Sequence, residues 1–262
     1  MNILNFVEEL QISQLESFTK KAETSWGYFF CDENNPNYYD ANHAHVKNVP
    51  SNVHMVIDEV IAFYEGKKLI PRFYIYNIDN QTELIKELKE RCFGFEQFVD
   101  PIQLWNNILI ENTVDNNITI EKVTEENFND ALAIRGNISE LGGKEVGEQA
   151  FKDEFKHSSY THYLLRYNNI PCATACMYIY KNQACLEMVA TLSEFRGKGL
   201  IGRLIRYIQK EVRSKGIDKL WVFPINEKVE KVYEKYGFET IGSMKTGHAF
   251  LGGQSINEIR GD

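Results

Sequence analysis

The segment EFRGKGLIGRLI, residues 194–205, places glycines and basic side chains between a strand-like run and a helix-like run. Arg196 and Lys198 alternate here with Gly197 and Gly199. The backbone N–H groups of a helix's first turn have no intrahelical partner, and together with the helix dipole they favour an anion. Glycines allow the anion to approach the backbone closely. The segment therefore predicts a phosphate-binding loop at the N-terminus of a helix.

Two widespread phosphate-binding patterns do not describe this loop. The Walker A pattern GxxxxGK[ST] is absent from the chain. The letters GKGLIG, residues 197–202, match GxGxxG, but the dinucleotide pattern follows the first strand of a parallel unit. Here the letters follow three strand-like runs joined by turn-like residues, so neither a P-loop nor a dinucleotide fold is expected.

The elements that position the loop are predicted from hydrophobic periodicity and turn residues. A helix ending near Gly216 should follow the loop, because apolar residues recur there at helical spacing. Thr124 is the predicted N-cap of a helix over 124–138. The other elements predicted in this half are helices over 149–158 and 226–237, and strands over 118–123, 161–167, 172–180, 185–192 and 219–225.

The order helix, strand, helix, Gly-Phe-Glu occurs twice, at about Asn52–Glu96 and about Leu200–Glu239. This recurrence predicts two related domains in tandem, at residues 1–112 and 113–262. The alternative is a chance repetition of alternating elements, which any mixed chain can show. No Arg-x-x-Gly precedes the first copy's helix, so only the second domain should bind phosphate.

The bulk composition restricts the class of protein. The 262 residues, 43% of them hydrophobic, suit two domains of roughly 100–150 residues. A net charge of −8 argues against a duplex nucleic-acid binder, which needs a basic surface. No apolar run approaches the roughly 18 residues of a membrane span, and the N-terminus lacks a secretory pattern. We expect a cytoplasmic protein without nucleic-acid or membrane partners, and a homodimer is compatible with the sequence.

The five cysteines are widely scattered, which indicates reduced and mostly buried thiols. Cys172 and Cys176 should point to one face of a strand, and His43 and His45 to one side of another. Neither pair has a further ligand nearby in the sequence, so we predict no metal site.

At the loop, Arg196-Gly197-Lys198-Gly199 resembles the acyl-coenzyme A loop of the GNAT superfamily of N-acyltransferases, Arg/Gln-x-x-Gly-x-Gly/Ala. VATLSEFRGKG resembles that family's fourth strand and loop, and Asn226, Tyr233 and YGFE fall at its usual spacings downstream. The resemblance covers about Ile118 to Leu251. It implies an α+β (mixed α/β) fold of tandem GNAT-like domains, each a mostly antiparallel twisted sheet flanked by helices. The N-terminal domain would be a degenerate copy.

The resemblance also implies a set of coenzyme-binding residues. The backbone of Val189 and Thr191 would pair with the pantetheine arm, and Asn226 would lie near the coenzyme, although Asn is also a good helix N-cap. Ile201 departs from the family pattern, which has Gly or Ala there, and could crowd the pyrophosphate. The whole set is Val189, Thr191, Arg196, Gly197, Lys198, Gly199, Leu200, Ile201, Gly202 and Asn226.

Two residues are candidates for proton transfer. Tyr233 resembles the family tyrosine that protonates the departing thiolate, but it also lies on the apolar face of its helix, where a core role would suffice. Glu187 is the candidate base, expected on one face with Val189 and Thr191; the alternative is a salt-bridged strand residue. The connection 136–147 would form the acceptor pocket, where Glu140, Glu145 and Glu148 could receive an amine or simply be solvated.

The function implied is an acetyl-CoA-dependent N-acetyltransferase that transfers an acetyl group directly to a primary amine of a small molecule or peptide, without metal. The first alternative is a non-catalytic acyl-CoA-binding or scaffold protein. The second is a tandem-domain aminoacyl transferase that uses charged tRNA, which the acidic composition disfavours.

Overall fold

The computed structural model describes residues 3–110, 115–138 and 142–261. Its helices are α1 (Ile3–Glu16), α2 (Val53–Glu65), α3 (Thr82–Glu90), α4 (Phe128–Arg135), α5 (Lys144–Lys156), α6 (Leu200–Ser214), α7 (Glu227–Glu234) and α8 (Ile256–Arg260). Its strands are β1 (Lys20–Glu23), β2 (Gly27–Cys31), β3 (His43–Val46), β4 (Arg72–Ile75), β5 (Gly94–Trp105), β6 (Ile118–Lys122), β7 (Tyr160–Tyr167), β8 (Ile170–Tyr180), β9 (Gln183–Thr191), β10 (Lys219–Val222) and β11 (Phe238–Phe250).

The chain divides into two compact units. The first unit contains the residues up to Val99 and those from Met244 onward, and the second contains most of residues 100–243. The predicted domain boundary between residues 112 and 113 lies outside the described residues. The mixed α+β class predicted from the sequence is confirmed, because sheets flanked by helices occur in both units.

The first unit is built on strands in the order β1, β2, β3, β4 and the end of β11. Strands β3 and β4 are parallel and are connected through α2, whereas the other recorded pairs are antiparallel. One face of this sheet packs against α2 and α3. That core includes Phe29, Ala44, Val56, Ile57, Val60, Tyr64, Phe73, Ile75, Leu84 and Leu88.

The second unit has the strand order β6, β7, β8, β9, β10 and the end of β5. Its strands β9 and β10 are parallel and are connected through α6. The apolar face of α6 covers the sheet, as its spacing predicted, because residues three and four apart lie on one side of a helix. The buried residues of α6 in this core are Leu200, Leu204, Ile205, Ile208 and Val212.

The predicted recurrence corresponds to the same order of elements in both units. In each unit a strand, a helix and a parallel strand are followed by a second helix and by Gly-Phe-Glu. In the first unit this tripeptide begins β5, and in the second unit its glycine immediately precedes β11. A parallel pair needs such a crossover connection, so the shared order is a shared fold element. Whether the first unit descends from the same family stays a prediction.

Two β-bulges overturn predictions about which side chains share a face. In the β7–β8 pair the register shifts between Leu165, opposite Ala173, and Arg166, opposite Pro171. The extra residue is Cys172, so it joins the α6-side core while Cys176 points to the other face. The prediction that Cys172 and Cys176 share a face is therefore wrong.

The second bulge lies in β9, where Glu187 is opposite Cys176 and Ala190 is opposite Thr174. Met188 has a φ of 52°, which a side chain rarely adopts in a regular strand. The extra residue reverses the alternation, so Glu187 does not share a face with Val189 and Thr191, contrary to prediction. Val189 packs on the α6-side core, and Glu187 lies on the face of Cys176.

Helix α4 begins later than predicted. Its N-cap is Asn127 and not Thr124, since the Asn127 side chain folds back and its Oδ1 accepts the backbone N–H of Thr124 at 2.7 Å. This local hydrogen bond holds 124–127 in a turn and delays the helix to Phe128. Among the described helices, none is both long and apolar enough to cross a bilayer.

Candidate functional site

The parallel strands β9 and β10 separate beside α6. Their recorded pairing runs from Gln183–Lys219 to Cys185–Trp221, and β10 ends at Val222. Pro224 follows closely and has no N–H to donate, so it cannot extend the ladder. Strand β9 nevertheless continues to Thr191. Within the described residues, the part of β9 after Cys185 therefore has an edge that β10 does not cover.

The loop between β9 and α6 adopts the backbone conformation that its glycines permit. Gly197 and Gly199 have φ values of 78° and 71°, and Gly199 is the N-cap of α6. A Cβ atom at either glycine would meet no described atom within 4 Å, and Gly199 supplies no side-chain cap. The first N–H groups of α6 therefore lie at an exposed turn with no side chain of the N-cap residue capping them, so they are available to bind an anion.

Both predicted cations lie at this turn. The Nζ atom of Lys198 lies over the rings of Tyr167 and Phe195, at 5.2 and 5.0 Å from their centroids. Arg196 donates from Nε to the carbonyl oxygen of Thr191 at 3.1 Å. These contacts hold two positive charges near the helix N-terminus, although both side chains are exposed.

The two residues that follow Leu200 face inward. The Ile201 side chain is half-buried and packs against the core of the second unit. Gly202 is buried beneath Tyr236, and a Cβ atom there would lie 2.1 Å from the tyrosine Oη. Gly202 thus has a packing reason to lack a side chain, and its contact with a coenzyme stays a prediction.

Tyr233 lies at the inner side of α7 and is only 6% exposed. Burial raises the pKa of its phenol above the ordinary value, and the nearby Glu187 and Cys185 raise it further. The phenol is therefore protonated at neutral pH. Tyr233 also packs edge-on against Phe238, with ring centroids 5.6 Å apart, so a core role and a proton-donor role are compatible.

Glu187 is half-buried on the face of β9 that carries Cys185, which is opposite the α6-side core. The thiol of Cys185 donates to Glu187 Oε1 at 2.9 Å. Tyr233 and Cys185 both interact electrostatically with this carboxylate. The structure thus brings the two predicted proton-transfer residues into one neighbourhood. The Cys185 contact was not predicted, although the two residues are two apart in β9 and that spacing places their side chains on one face of a strand.

Asn226 is the N-cap of α7, and its Oδ1 accepts the N–H of Val229 at 3.0 Å. The capping role is confirmed, while proximity to a coenzyme stays a prediction. Of the predicted acceptor-pocket acids, Glu140 lies outside the described residues. Glu145 and Glu148 lie in α5, where Glu148 pairs with Lys144 at 3.6 Å.

Among the residues of the first unit that the structure describes, no comparable opening occurs at the equivalent place. The side chain of Asn52, the N-cap of α2, accepts the N–H of Met55 at 3.1 Å. Strands β3 and β4 stay paired to the end of β3, where Tyr76 donates its N–H to the carbonyl of Val46 at 2.9 Å. The N-terminus of α2 is therefore capped by the chain itself, and the parallel strands beside it do not separate.

The histidine pair of β3 does not form a metal-ligand cluster. His43 and His45 are both buried, with ring centroids 6.0 Å apart, and His45 Nε2 is 3.3 Å from Glu8 Oε1. Across the described residues, the cluster with metal-ligand geometry is a different one, in the second unit. It consists of Glu154, His162 and Cys176, which lie too far apart in the sequence to have been predicted as a group.

A family model described as "Acetyltransferase (GNAT) family" matches residues 131–238. A GCN5-related N-acetyltransferase from Kribbella flavida superimposes with a TM-score of 0.72 at 16% identity, covering 97% of each chain. A functionally unknown conserved protein from Staphylococcus epidermidis gives a TM-score of 0.67 at 14% identity, covering 88% of this chain and 93% of that one. At such identities the likeness shows the fold alone, and it extends over nearly the whole chain.

Replacing Gly202 by Ala should lower the free energy of unfolding by about 1–2 kcal/mol, because Tyr236 must move away from the added Cβ. This value is the net change: the cost of displacing Tyr236 exceeds the gain of about 1 kcal/mol that Ala usually gives over Gly in a helix. Urea unfolding measures the difference. Gly242→Ala is the control, since Gly242 is exposed with open space around it. Equal stability of the two variants would show that Tyr236 does not depend on Gly202.

Proposed function

We propose that this chain, whose residues 131–238 match the model of the Acetyltransferase (GNAT) family, is an acetyl-CoA-dependent N-acetyltransferase. The acceptor would be a primary amine of a small molecule or peptide. The observation that carries the proposal is the open N-terminus of α6, which stands beside the uncovered edge of β9. This arrangement suits a ligand with an extended arm and a charged pyrophosphate.

The loop is suited to bind the pyrophosphate. The N–H groups from Gly197 to Gly202, with Arg196 and Lys198 beside them, would receive its negative charge. The backbone of Val189 and Thr191 would bind the pantetheine arm, which carries amides that can continue a strand's hydrogen-bonding pattern. The Ile201 side chain packs against the core, so it would not crowd the pyrophosphate.

The proposed chemistry is direct transfer with two proton movements. Glu187, directly or through water, takes a proton from the ammonium so that a neutral amine can attack the thioester carbonyl. A C–N bond forms as the C–S bond breaks. Tyr233 donates a proton to the departing sulfur, a role supported by its protonated state at neutral pH. No covalent enzyme intermediate is needed, so the buried cysteines need not act as nucleophiles.

The contrast between the units supports one coenzyme site per chain. Isothermal titration calorimetry of acetyl-CoA should therefore give a stoichiometry near one, and CoA release should be measurable with an amine panel that includes polyamines and peptides. A stoichiometry near two would contradict the inference that the first unit, where α2 is capped, does not bind the coenzyme. Binding without turnover on every amine would favour the non-catalytic acyl-CoA-binding alternative.

The double variant Arg196→Glu, Lys198→Glu should weaken acetyl-CoA binding by at least about tenfold, or about 1.4 kcal/mol, because like charges would face the pyrophosphate. Lys210→Glu with Lys215→Glu is the matched control, since it changes the net charge equally at the other end of α6. Calorimetry gives both dissociation constants. Equal affinities in the two variants would contradict the loop assignment.

Tyr233→Phe should lower turnover by about 100-fold, which is typical of a lost general acid, and should leave the dissociation constant of acetyl-CoA within about twofold. Tyr163→Phe is the control: Tyr163 is buried in the same core, and its hydroxyl has no hydrogen-bond partner among the described residues. Steady-state kinetics separate the two. Wild-type turnover in Tyr233→Phe would leave Tyr233 as a core residue only.

A further inference from the structure

Three chemically different side chains converge in the interior of the second unit. Glu154 of α5, His162 of β7 and Cys176 of β8 are 2%, 6% and 0% exposed. His162 and Cys176 are directly opposite each other in the β7–β8 pair. Their ligand atoms and a Glu154 carboxylate oxygen all lie within 4.8 Å of one another. From this convergence we infer that Glu154, His162 and Cys176 form a zinc-binding site.

The orientation of the ring argues for metal binding and against a nucleophile relay. In a Cys–His–carboxylate relay the sulfur and the carboxylate contact opposite ring nitrogens. Here both approach the same atom, since His162 Nε2 is 3.9 Å from Cys176 Sγ and 4.0 Å from Glu154 Oε2. Three ligand atoms that converge on one another in this way can bind one common centre, as metal ligands do.

One of the donor atoms is a buried oxygen without a partner. Glu154 Oε1 accepts from Arg135 Nη2 at 2.8 Å, whereas Oε2 is buried with no hydrogen-bond partner among the described residues. A buried carboxylate oxygen without a partner is costly, because it has lost its hydration. A cation bound by Oε2 would satisfy it, and the Arg135 contact would orient the carboxylate as outer partners of metal ligands do.

The separations are close to those of a tetrahedral zinc site. Zinc bonds of about 2.3 Å to sulfur and about 2.0–2.1 Å to nitrogen and oxygen place neighbouring ligand atoms roughly 3.3–3.5 Å apart. The two distances from His162 Nε2, 3.9 and 4.0 Å, are wider by roughly 0.5 Å, and the third separation is within 4.8 Å. Side-chain rotations of the three residues would bring the ligand atoms together around the ion. Thiolate, imidazole and carboxylate together are a donor set that suits Zn²⁺, with one position left for water.

The charges around the site are compatible with a divalent ion. On binding, the Cys176 thiol would lose its proton to solvent, and the sulfur–zinc bond would form. Zn²⁺ and Arg135 would then be balanced by the Cys176 thiolate, the Glu154 carboxylate and the carboxylate of Glu187, which lies opposite Cys176 in the β8–β9 pair. The ion would join α5 to β7 and β8.

The experiment measures zinc in untagged full-length protein that is stripped with a chelator, incubated with zinc chloride and desalted. We expect about one zinc per chain by mass spectrometry in the wild type and a loss of at least tenfold in Cys176→Ser. Cys172→Ser is the matched control, because Cys172 is equally buried in β8 but faces the other side. Equal zinc content in Cys176→Ser and the wild type, or none in the wild type, would overturn the inference.

A spectroscopic readout covers the case in which Cys176→Ser does not fold. Cobalt chloride added to the stripped wild type should produce visible bands of tetrahedral Co²⁺ and a near-ultraviolet thiolate-to-cobalt band. His162→Asn should weaken both, and Glu154 is left intact because its loss would strand Arg135 unpaired in the interior. Absence of the thiolate band from the wild type would overturn the assignment regardless of how the variants fold.

Discussion

The candidate site depends on the separation of two parallel strands that begin as partners. Strands β9 and β10 pair up to Cys185 and Trp221, and then β10 ends while β9 continues. If the ladder had continued, hydrogen bonds to β10 would occupy the edge of β9 that the proposed ligand needs. Two local features favour separation: the proline at position 224, which cannot donate, and the bulge at Met188, which bends and twists its strand.

The separation is useful only because α6 begins at the same place and is held firmly. Its apolar face lies on the sheet, Gly202 admits the ring of Tyr236, and Gln209 donates to the Tyr236 carbonyl at 2.7 Å. These contacts hold the helix in place although the N–H groups of its first turn have no side-chain cap from the N-cap residue. In the first unit the same crossover is completed differently, since Asn52 caps α2 and the strands remain paired. The capping side chain and the continued strand pairing together distinguish this closed helix end from the one that is available to an anion.

Buried ionisable groups occur in both units, and their surroundings set their protonation states. In the first unit, burial alone would raise the pKa of Glu96, but a hydrogen bond from His248 and the N–H groups of Asn257 and Ile256 lower it to about 2. That carboxylate thus binds the N-terminus of α8. In the second unit burial and the nearby Arg135 lower the pKa of His162 to about 3, so its imidazole is neutral.

The sequence by itself determined the loop, most of the elements of the second unit and the cap of α7. These depend on neighbours in the chain: glycines that permit positive φ, apolar residues at helical spacing, and an asparagine three residues before the N–H it binds. Only the tertiary structure decided which faces Cys172 and Glu187 occupy, because a bulge shifts the register against a partner strand that the local sequence does not contain. The tertiary structure also decided the convergence of Glu154, His162 and Cys176, since residues on a helix and two strands meet only when those elements pack together.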